Sequence, residues 1–175
     1  MSGTTVGVIV FLLGSLGILA LTLRLRSLHG LARFFAFEGL LAMAVLNAPH
    51  WFEQPFSPRQ LLSWAALLLS AFLAIHGFIL LKQIGKPQGD FEHTTVLVQR
   101  GAYRYIRHPL YASLFWLGLG AFLKGITLLT GALLVVVIAA LLATARIEEA
   151  ENIRHFGPAY EEYMRQTKRF IPYIF

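Results

Sequence analysis

The chain has 175 residues, of which 57% are hydrophobic and 14% charged; its formal net charge is +6, and it contains no cysteine. A mean hydropathy of +0.63 excludes an ordinary soluble domain and a disordered chain. The lack of cysteine excludes disulfides, thiolate metal ligands and a cysteine nucleophile. The composition therefore predicts one integral membrane domain over residues 1–175.

Five apolar segments approach the length of about 20 residues that a membrane-spanning helix needs. The second carries Arg33 and Glu38, and the fourth is short unless Pro109 begins its helix. In chain order the segments are 6–23, 31–48, 61–81, 110–123 and 126–145. The predicted fold is all-α: an integral membrane bundle of about five transmembrane helices with a cytosolic C-terminal helical extension.

The connections between these segments predict how the chain is organised. Lys124 and Gly125 alone separate the last two spans, which predicts a tight antiparallel helical hairpin. The fifth helix should continue beyond the bilayer until Gly157 ends it, and Pro158 should begin a short further helix to about Gln166. Residues 1–96 then form the N-terminal spans and a polar loop, and residues 97–172 form the candidate catalytic region.

The basic residues predict the orientation, because lysine and arginine favour cytoplasmic loops. Thirteen of the fifteen basic residues fall on one side of the five-span arrangement. The two on the other side are Arg59 and Lys124. We therefore expect an outside N-terminus and a cytoplasmic C-terminus, and we interpret the net charge as a topology signal that gives no indication of nucleic-acid binding.

A polar run at the start of the fourth span is the strongest indication of a site. It reads Arg-Gly-Ala-Tyr-Arg-Tyr-Ile-Arg-His-Pro-Leu-Tyr from residue 100 to residue 111. The predicted hairpin returns the chain to the same membrane face, so Arg107 and His108 should lie near Glu148 and Glu149. A basic and an acidic cluster should therefore face each other at the cytosolic boundary.

This arrangement resembles the membrane methyltransferases related to isoprenylcysteine carboxyl methyltransferase and phosphatidylethanolamine N-methyltransferase. The resemblance covers about residues 97–172. Its residues, in order, are Gly101, Tyr103, Arg107, His108, Pro109, Tyr111, Glu148, Glu149, Phe156, Gly157, Tyr160, Tyr163, Arg169, Phe170, Ile171 and Pro172. The sequence departs from the pattern at Asn152, where many relatives carry an apolar residue.

The resemblance implies S-adenosyl-L-methionine as methyl donor, bound in a cytosol-facing pocket. It implies catalytic roles for Arg107 and Glu148, with Arg146 a weaker candidate. The cofactor-binding residues that it implies are Val98, Gly101, Tyr103, His108, Tyr111, Glu148 and Glu149.

The chemistry of these side chains suits that reading. A carboxylate can bind the ammonium of the donor, a tyrosine face can lie against a sulfonium, and an arginine can hold an anionic acceptor through two hydrogen bonds. The implied acceptor is a lipid or a lipidated small molecule that reaches the site from the bilayer. The histidines and acids show no metal-ligand spacing, and the implied reaction needs no metal.

Two other function classes remain open from the sequence. One is an NADPH-dependent membrane reductase of the steroid-reductase type, which has a related hairpin, although the paired glutamates suit the methyltransferases better. The other is a non-catalytic membrane protein; no inverted repeat indicates transport. The acceptor atom, whether oxygen, nitrogen or sulfur, also stays open.

Several residues have plain structural interpretations. His76 should make a structural hydrogen bond near the cytosolic end of the third span, although an ionisable group inside a membrane can also be functional. Glu38 needs an interhelical partner or a place in the substrate pocket. Tyr160 and Tyr163 are expected to pack against the membrane-proximal surface and to take no part in catalysis.

Overall fold

The computed structural model describes residues 3–25, 30–87 and 94–174, and these form a helical bundle. The helices are α1 (Gly3–Leu25), α2 (Gly30–Leu46), α3 (Pro58–Ile84), α4 (Pro109–Lys124), α5 (Leu128–Phe156) and α6 (Pro158–Gln166). Two single 3₁₀ turns, Ala48–His50 and Gly101–Arg104, lie in the connections. Within the described ranges the chain forms two isolated β-bridges and no strand, so the all-α prediction is confirmed.

Local sequence signals explain where the helices begin. Ser57 caps α3 by accepting a hydrogen bond from the Gln60 N–H, and proline follows at the first helical position. Pro109 begins α4, as the sequence predicted. Thr127 and Thr130 cap the start of α5 reciprocally. The C-terminal extension of α5 and the short helix after it are both present, and they meet at a glycine with a positive φ of 57°.

Three of the described helices are long and apolar enough to cross a membrane: α1, α3 and α5. The other two helices of the predicted bundle, α2 and α4, have 17 and 16 residues. Each is therefore about 25 Å long, somewhat less than a hydrocarbon core of about 30 Å. Because α2 packs along α5 and α4 packs along α3, both lie beside long apolar helices. Their complete crossing stays a prediction.

The packing order leaves one gap in the bundle. Helix α3 packs on α4, α4 on α5, α5 on α2, and α2 on α1. Among the described residues, α2 and α3 barely touch each other, although both contact α4. A cleft therefore runs between α2 and α3 above α4. The buried core is formed mainly by α2, α4 and α5, and it includes Ala36, Met43, Ala112, Val137 and Leu141.

Helix α1 is held to the bundle mainly through α2. The Ser15 hydroxyl donates a 2.7 Å hydrogen bond to Glu38 Oε2, which gives this glutamate the interhelical partner that its sequence position requires. Leu41 packs closely on Gly14, where a larger residue would collide with it. The remaining surface of α1 is apolar and exposed, as a lipid-facing helix would be.

The end of the bundle at the α4–α5 turn is closed by a buried lysine. Lys124 is fully buried, and its Nζ donates to Gln60 Oε1 at 2.8 Å and to the Trp51 carbonyl at 3.4 Å. The same ammonium lies 3.6 Å from the ring centroid of Trp64. The sequence placed this lysine in an outer loop, whereas the structure makes it a buried link between the turn and the start of α3.

Candidate functional site

The site begins where two distant parts of the chain pair. The Arg107 N–H donates to the Lys168 carbonyl at 2.7 Å, and the His108 N–H donates to the Arg169 carbonyl at 3.2 Å. The Lys168 N–H donates back to the Tyr105 carbonyl at 3.1 Å. The segment before α4 is therefore held against the segment after α6, and its side chains are fixed beside the end of α5.

Glu149 is the centre of a buried ionic cluster. Its side chain is 5% exposed and accepts from Arg107 Nε at 2.8 Å and from Arg169 Nη2 at 2.8 Å. His108 Nε2 lies 3.3 Å from the same carboxylate. Since an unpaired buried charge is costly, the two arginines and the glutamate stabilise one another in this position. The predicted meeting of the basic and acidic clusters is confirmed.

The Arg107 guanidinium is largely occupied by protein partners. Besides its bond to Glu149, its Nη1 donates to the carbonyls of Met164 (3.2 Å) and Thr167 (2.5 Å). Two of its three nitrogens therefore hold the C-terminal segment in place. The side chain still lines the cavity described below, but Nη2 is the nitrogen left by these bonds, so paired hydrogen bonds from two nitrogens to an acceptor would require one of them to break.

Glu148 differs from its neighbour although the two are adjacent in sequence. Consecutive helical residues point about 100° apart, so the two carboxylates face different surroundings. The Glu148 side chain is 26% exposed and lines the cavity, and His108 Nδ1 lies 3.8 Å from its Oε2. Glu148 can therefore offer its carboxylate to a ligand, whereas both carboxylate oxygens of Glu149 accept hydrogen bonds from the protein itself.

A cavity of about 650 Å³ lies between these groups and the bilayer side of the bundle. This volume is within the range of about 300 to 1,000 Å³ that is typical of small-molecule sites. The residues around its polar end include Val98, Tyr103, Arg107, His108, Tyr111, Glu148, Asn152, Phe156, Tyr160 and Tyr163. Most of the lining is aromatic or aliphatic, with a few convergent polar groups.

Three tyrosines give this end of the cavity its aromatic character. The Tyr163 hydroxyl donates a 2.7 Å hydrogen bond to the Tyr103 carbonyl, which ties α6 to the 3₁₀ turn. Tyr160 packs edge-on against Tyr163. Burial raises the pKa of all three phenols well above the usual value, so they stay neutral at physiological pH. Neutral aromatic faces beside a carboxylate suit a cationic ligand.

The cavity continues into the cleft between α2 and α3. Leu21 of α1 and Arg33 and Phe37 of α2 form one wall, and Ile75 and Phe78 of α3 form the other. Because α2 and α3 barely touch within the described residues, this part of the cavity lies in the gap between these two helices.

Two of the residues that the resemblance implied do not line the cavity: Gly101 and Glu149. Gly101 has a φ of 59°, and a Cβ at this position would lie 2.5 Å from His76 Nε2. The His76 ring therefore packs on the glycine backbone and stacks on Phe72, and the structural hydrogen bond expected of it stays a prediction. Direct contact of these two residues with a cofactor stays a prediction, as does that of the residues that do line the cavity.

Sequence reasoning missed several lining residues, among them two tyrosines and one arginine. Tyr160 and Tyr163 were assigned to surface packing, yet both face the cavity. Their spacing of three on a short helix that follows the motif was the available signal. Arg33 was interpreted only as a topology charge, and no local signal in α2 indicates that it faces a cavity. Among the described residues, no group of three histidine or acidic side chains is arranged to hold a metal ion.

Comparison with known proteins agrees with this geometry. The phospholipid methyltransferase family matches residues 58–159, which run from α3 into α6. The chain is also similar to a methanethiol S-methyltransferase from Crocosphaera subtropica, with 31% identity over 121 residues. That match covers 65% of this chain and 44% of the relative, so the chain spans less than half the length of that protein. Because the family match covers more than half of the 175 residues, the chain belongs to the phospholipid methyltransferase family.

Proposed function

We propose that this membrane protein transfers a methyl group from S-adenosyl-L-methionine to a lipid or lipid-like acceptor. The observation that carries the proposal is one continuous cavity that joins a polar end, with Glu148 and three tyrosines, to an apolar cleft between α2 and α3. A soluble charged donor and a membrane-dissolved acceptor need a site of this kind. Family membership favours this reaction over the reductase and over a non-catalytic role.

The polar end fits the donor by its chemistry. Glu148 offers a partly exposed carboxylate to an ammonium group, and the rings of Tyr103 and Tyr111 offer aromatic faces to a sulfonium. Val98 and His108 line the same space. Gly101 acts through the turn that carries Tyr103, and Glu149 acts through Arg107 and His108, which it holds in position.

The protein's own contribution is alignment and exclusion of water. S-adenosyl-L-methionine supplies the activated methyl group when bound. The buried ionic cluster fixes Arg107 and His108 on the cavity wall, and Tyr163 fixes the turn that carries Tyr103. Rigid placement of lining groups lowers the cost of bringing two substrates into line. We assign Arg107 and Glu148 to the reaction itself, with Glu148 on the donor side and Arg107 between the donor and acceptor.

The cleft favours a lipid-like acceptor over a small one. Its walls carry Leu21, Phe37, Ile75 and Phe78, which provide an apolar channel for an alkyl chain. The name of the family refers to phospholipids, whereas the name of the similar protein refers to a small thiol, methanethiol. In our proposal the acceptor therefore enters from the bilayer. The distribution of basic residues supports a separate proposal for the orientation, with the N-terminus outside and the C-terminus in the cytoplasm.

The first experiment measures binding of S-adenosylhomocysteine by calorimetry to the protein in detergent, with NADPH as a competitor. We expect S-adenosylhomocysteine to bind and NADPH not to compete. Glu148→Gln should weaken S-adenosylhomocysteine binding about tenfold or more, because a charge-assisted hydrogen bond is lost. Glu161→Gln, an exposed site on α6, is the matched control and should bind normally. Binding of NADPH with no binding of S-adenosylhomocysteine would replace this proposal with the reductase.

The second experiment measures transfer of a labelled methyl group into a lipid extract. We expect label in the lipid fraction with wild-type protein and with Glu161→Gln, and little with Glu148→Gln. Ethanethiol is added to the same reaction as a competing acceptor, and label that appears only in its volatile thioether product would exclude the lipid-like acceptor while leaving methyl transfer intact.

A further inference from the structure

Asn152 is a position where the sequence departs from the family pattern, and its side chain lines the cavity. It lies on α5 one helical turn after Glu148, which lines the same cavity. Side chains four residues apart on a helix are neighbours on one face, with Cβ atoms about 5 to 6 Å apart. This wall of the cavity therefore presents a carboxylate and an amide side by side.

The Asn152 amide is oriented by one hydrogen bond inside the protein. Its side chain bonds to the phenol group of Tyr160, a buried residue in the first turns of α6. A primary amide has two N–H donors and one carbonyl acceptor, so a single hydrogen bond orients the group and leaves it donor capacity. A polar side chain that is already ordered loses little further freedom when a ligand binds. Asn152 is therefore suited to act as a pre-oriented donor beside Glu148.

The charges around this part of the cavity favour an anion close to the amide. Tyr160, the partner of Asn152, lies within electrostatic range of four charged residues: Arg107, Glu148, Glu149 and Arg169. Arg107 and Arg169 share the single carboxylate of Glu149, so this buried cluster carries an excess of positive charge. Glu148 is the carboxylate that faces the cavity. The wall thus has a negative group at Glu148 and, one turn further along α5, an amide donor close to excess positive charge.

We propose that Glu148 and Asn152 together bind the amino-acid end of the methyl donor. Glu148 accepts hydrogen bonds from its ammonium, and the Asn152 N–H donates to its carboxylate. These two groups are attached to the same carbon atom of the donor, which suits two side chains that are neighbours on one helix face. An apolar residue at position 152 would instead desolvate the carboxylate without offering it a donor. This inference rests on the proposed function, because it assigns a further binding residue to the donor side of the same site.

The test uses three ligands that differ at the amino-acid end. They are S-adenosylhomocysteine, its decarboxylated analogue S-adenosyl-3-thiopropylamine, and 5′-methylthioadenosine, which has neither charged group. Binding of each ligand to the whole chain in dodecyl maltoside micelles is measured by calorimetry. We expect the wild-type protein to bind S-adenosylhomocysteine about tenfold tighter than the decarboxylated analogue, because the analogue lacks the acceptor of a charge-assisted hydrogen bond.

The main variant is Asn152→Leu, which removes the amide and changes the side-chain volume little. We expect the preference for the carboxylate to fall to about threefold or less, with the affinities for the other two ligands unchanged within about twofold. Asn152→Asp places a second negative charge beside the carboxylate and should make the decarboxylated analogue the tighter ligand. Gln166→Leu is the matched control, since Gln166 is an exposed amide of α6 that does not line the cavity, and it should keep the full preference.

Four results would overturn the inference while leaving methyl transfer in place. They are a wild-type protein with no preference for the carboxylate, a preference that survives Asn152→Leu, a preference that is lost equally in Gln166→Leu, and an equal loss of affinity for all three ligands in Asn152→Leu, which would indicate a role in packing alone. If Asn152→Leu does not fold, Asn152→Asp replaces it, and an unchanged preference in that variant also overturns the inference. A wild-type protein that binds none of the three ligands would refute the proposed function itself.

Discussion

The two adjacent glutamates at the end of α5 offer a direct test of the site, because the structure gives them opposite tasks. Glu149→Gln removes the negative charge that Arg107 and Arg169 share. Removing one partner of a buried ion pair typically costs about 3 to 5 kcal/mol. Since the Arg169 side chain is a quarter exposed and glutamine keeps one acceptor oxygen, we expect the free energy of unfolding to fall by about 2 to 3 kcal/mol.

The matched comparison is Glu148→Gln. This side chain is partly exposed, and among the described residues its ion-pair contact is a long one, to His108 at 3.8 Å. We therefore expect its free energy of unfolding to change by less than about 1 kcal/mol. Its effect should instead fall on cofactor affinity, as described above. The two variants carry the same substitution, glutamate to glutamine, at adjacent positions. Any general effect of losing one negative charge is therefore common to both.

The assay is a denaturation curve in mixed micelles with increasing sodium dodecyl sulfate, followed by calorimetric binding of S-adenosylhomocysteine at a temperature where both variants are folded. The reasoning is refuted if Glu148→Gln destabilises the protein as much as Glu149→Gln does. It is also refuted if Glu149→Gln keeps wild-type stability and loses binding, because Glu149 would then be a ligand of the cofactor.

Three further predictions concern the bundle around the site. Gly101→Ala should lower the free energy of unfolding by about 1 to 3 kcal/mol, because the residue has a positive φ and its Cβ would meet His76 Nε2; denaturation of this variant with and without His76→Ala separates the collision from the backbone strain. Lys124→Met should cost about 2 kcal/mol in the same denaturation assay, because the Gln60 carbonyl loses a charged donor, and S-adenosylhomocysteine affinity should not change; a loss of affinity would show that the two ends of the bundle are coupled. Reporter fusions at the two termini should report opposite sides of the membrane, with the C-terminus cytoplasmic, and reporters on the same side would contradict the five-span topology.

The linear sequence was informative about the helices because their signals are local. Runs of apolar residues predicted all five helices of the bundle, and the short Lys124–Gly125 link predicted the hairpin. Gly157 and Pro158 predicted the end of α5 and the start of α6. Each of these signals acts through a few neighbouring residues, by excluding or favouring a backbone conformation or by making a segment too apolar for water.

The meeting of the two charged clusters was also predictable, because the hairpin fixes it. A short turn between two antiparallel helices must bring the start of the first beside the end of the second. His108 and Glu149 therefore come to the same end of the helix pair through connectivity, and packing brings them within 3.3 Å. The division of labour between Glu148 and Glu149 was not predictable, because it depends on which direction Arg169 approaches from after α6.

The sequence by itself determined that the chain is a membrane bundle with a polar site at one end of a helical hairpin. Tertiary structure decided which side chains face the cavity. Backbone pairing of residues 105–108 with residues 168–169 places the Arg107 side chain where it hydrogen-bonds to the C-terminal segment. The gap between α2 and α3 leaves Arg33 on the wall of the cavity. These outcomes depend on contacts between segments far apart in the chain, and the direction and depth of such contacts are set by packing of the whole bundle.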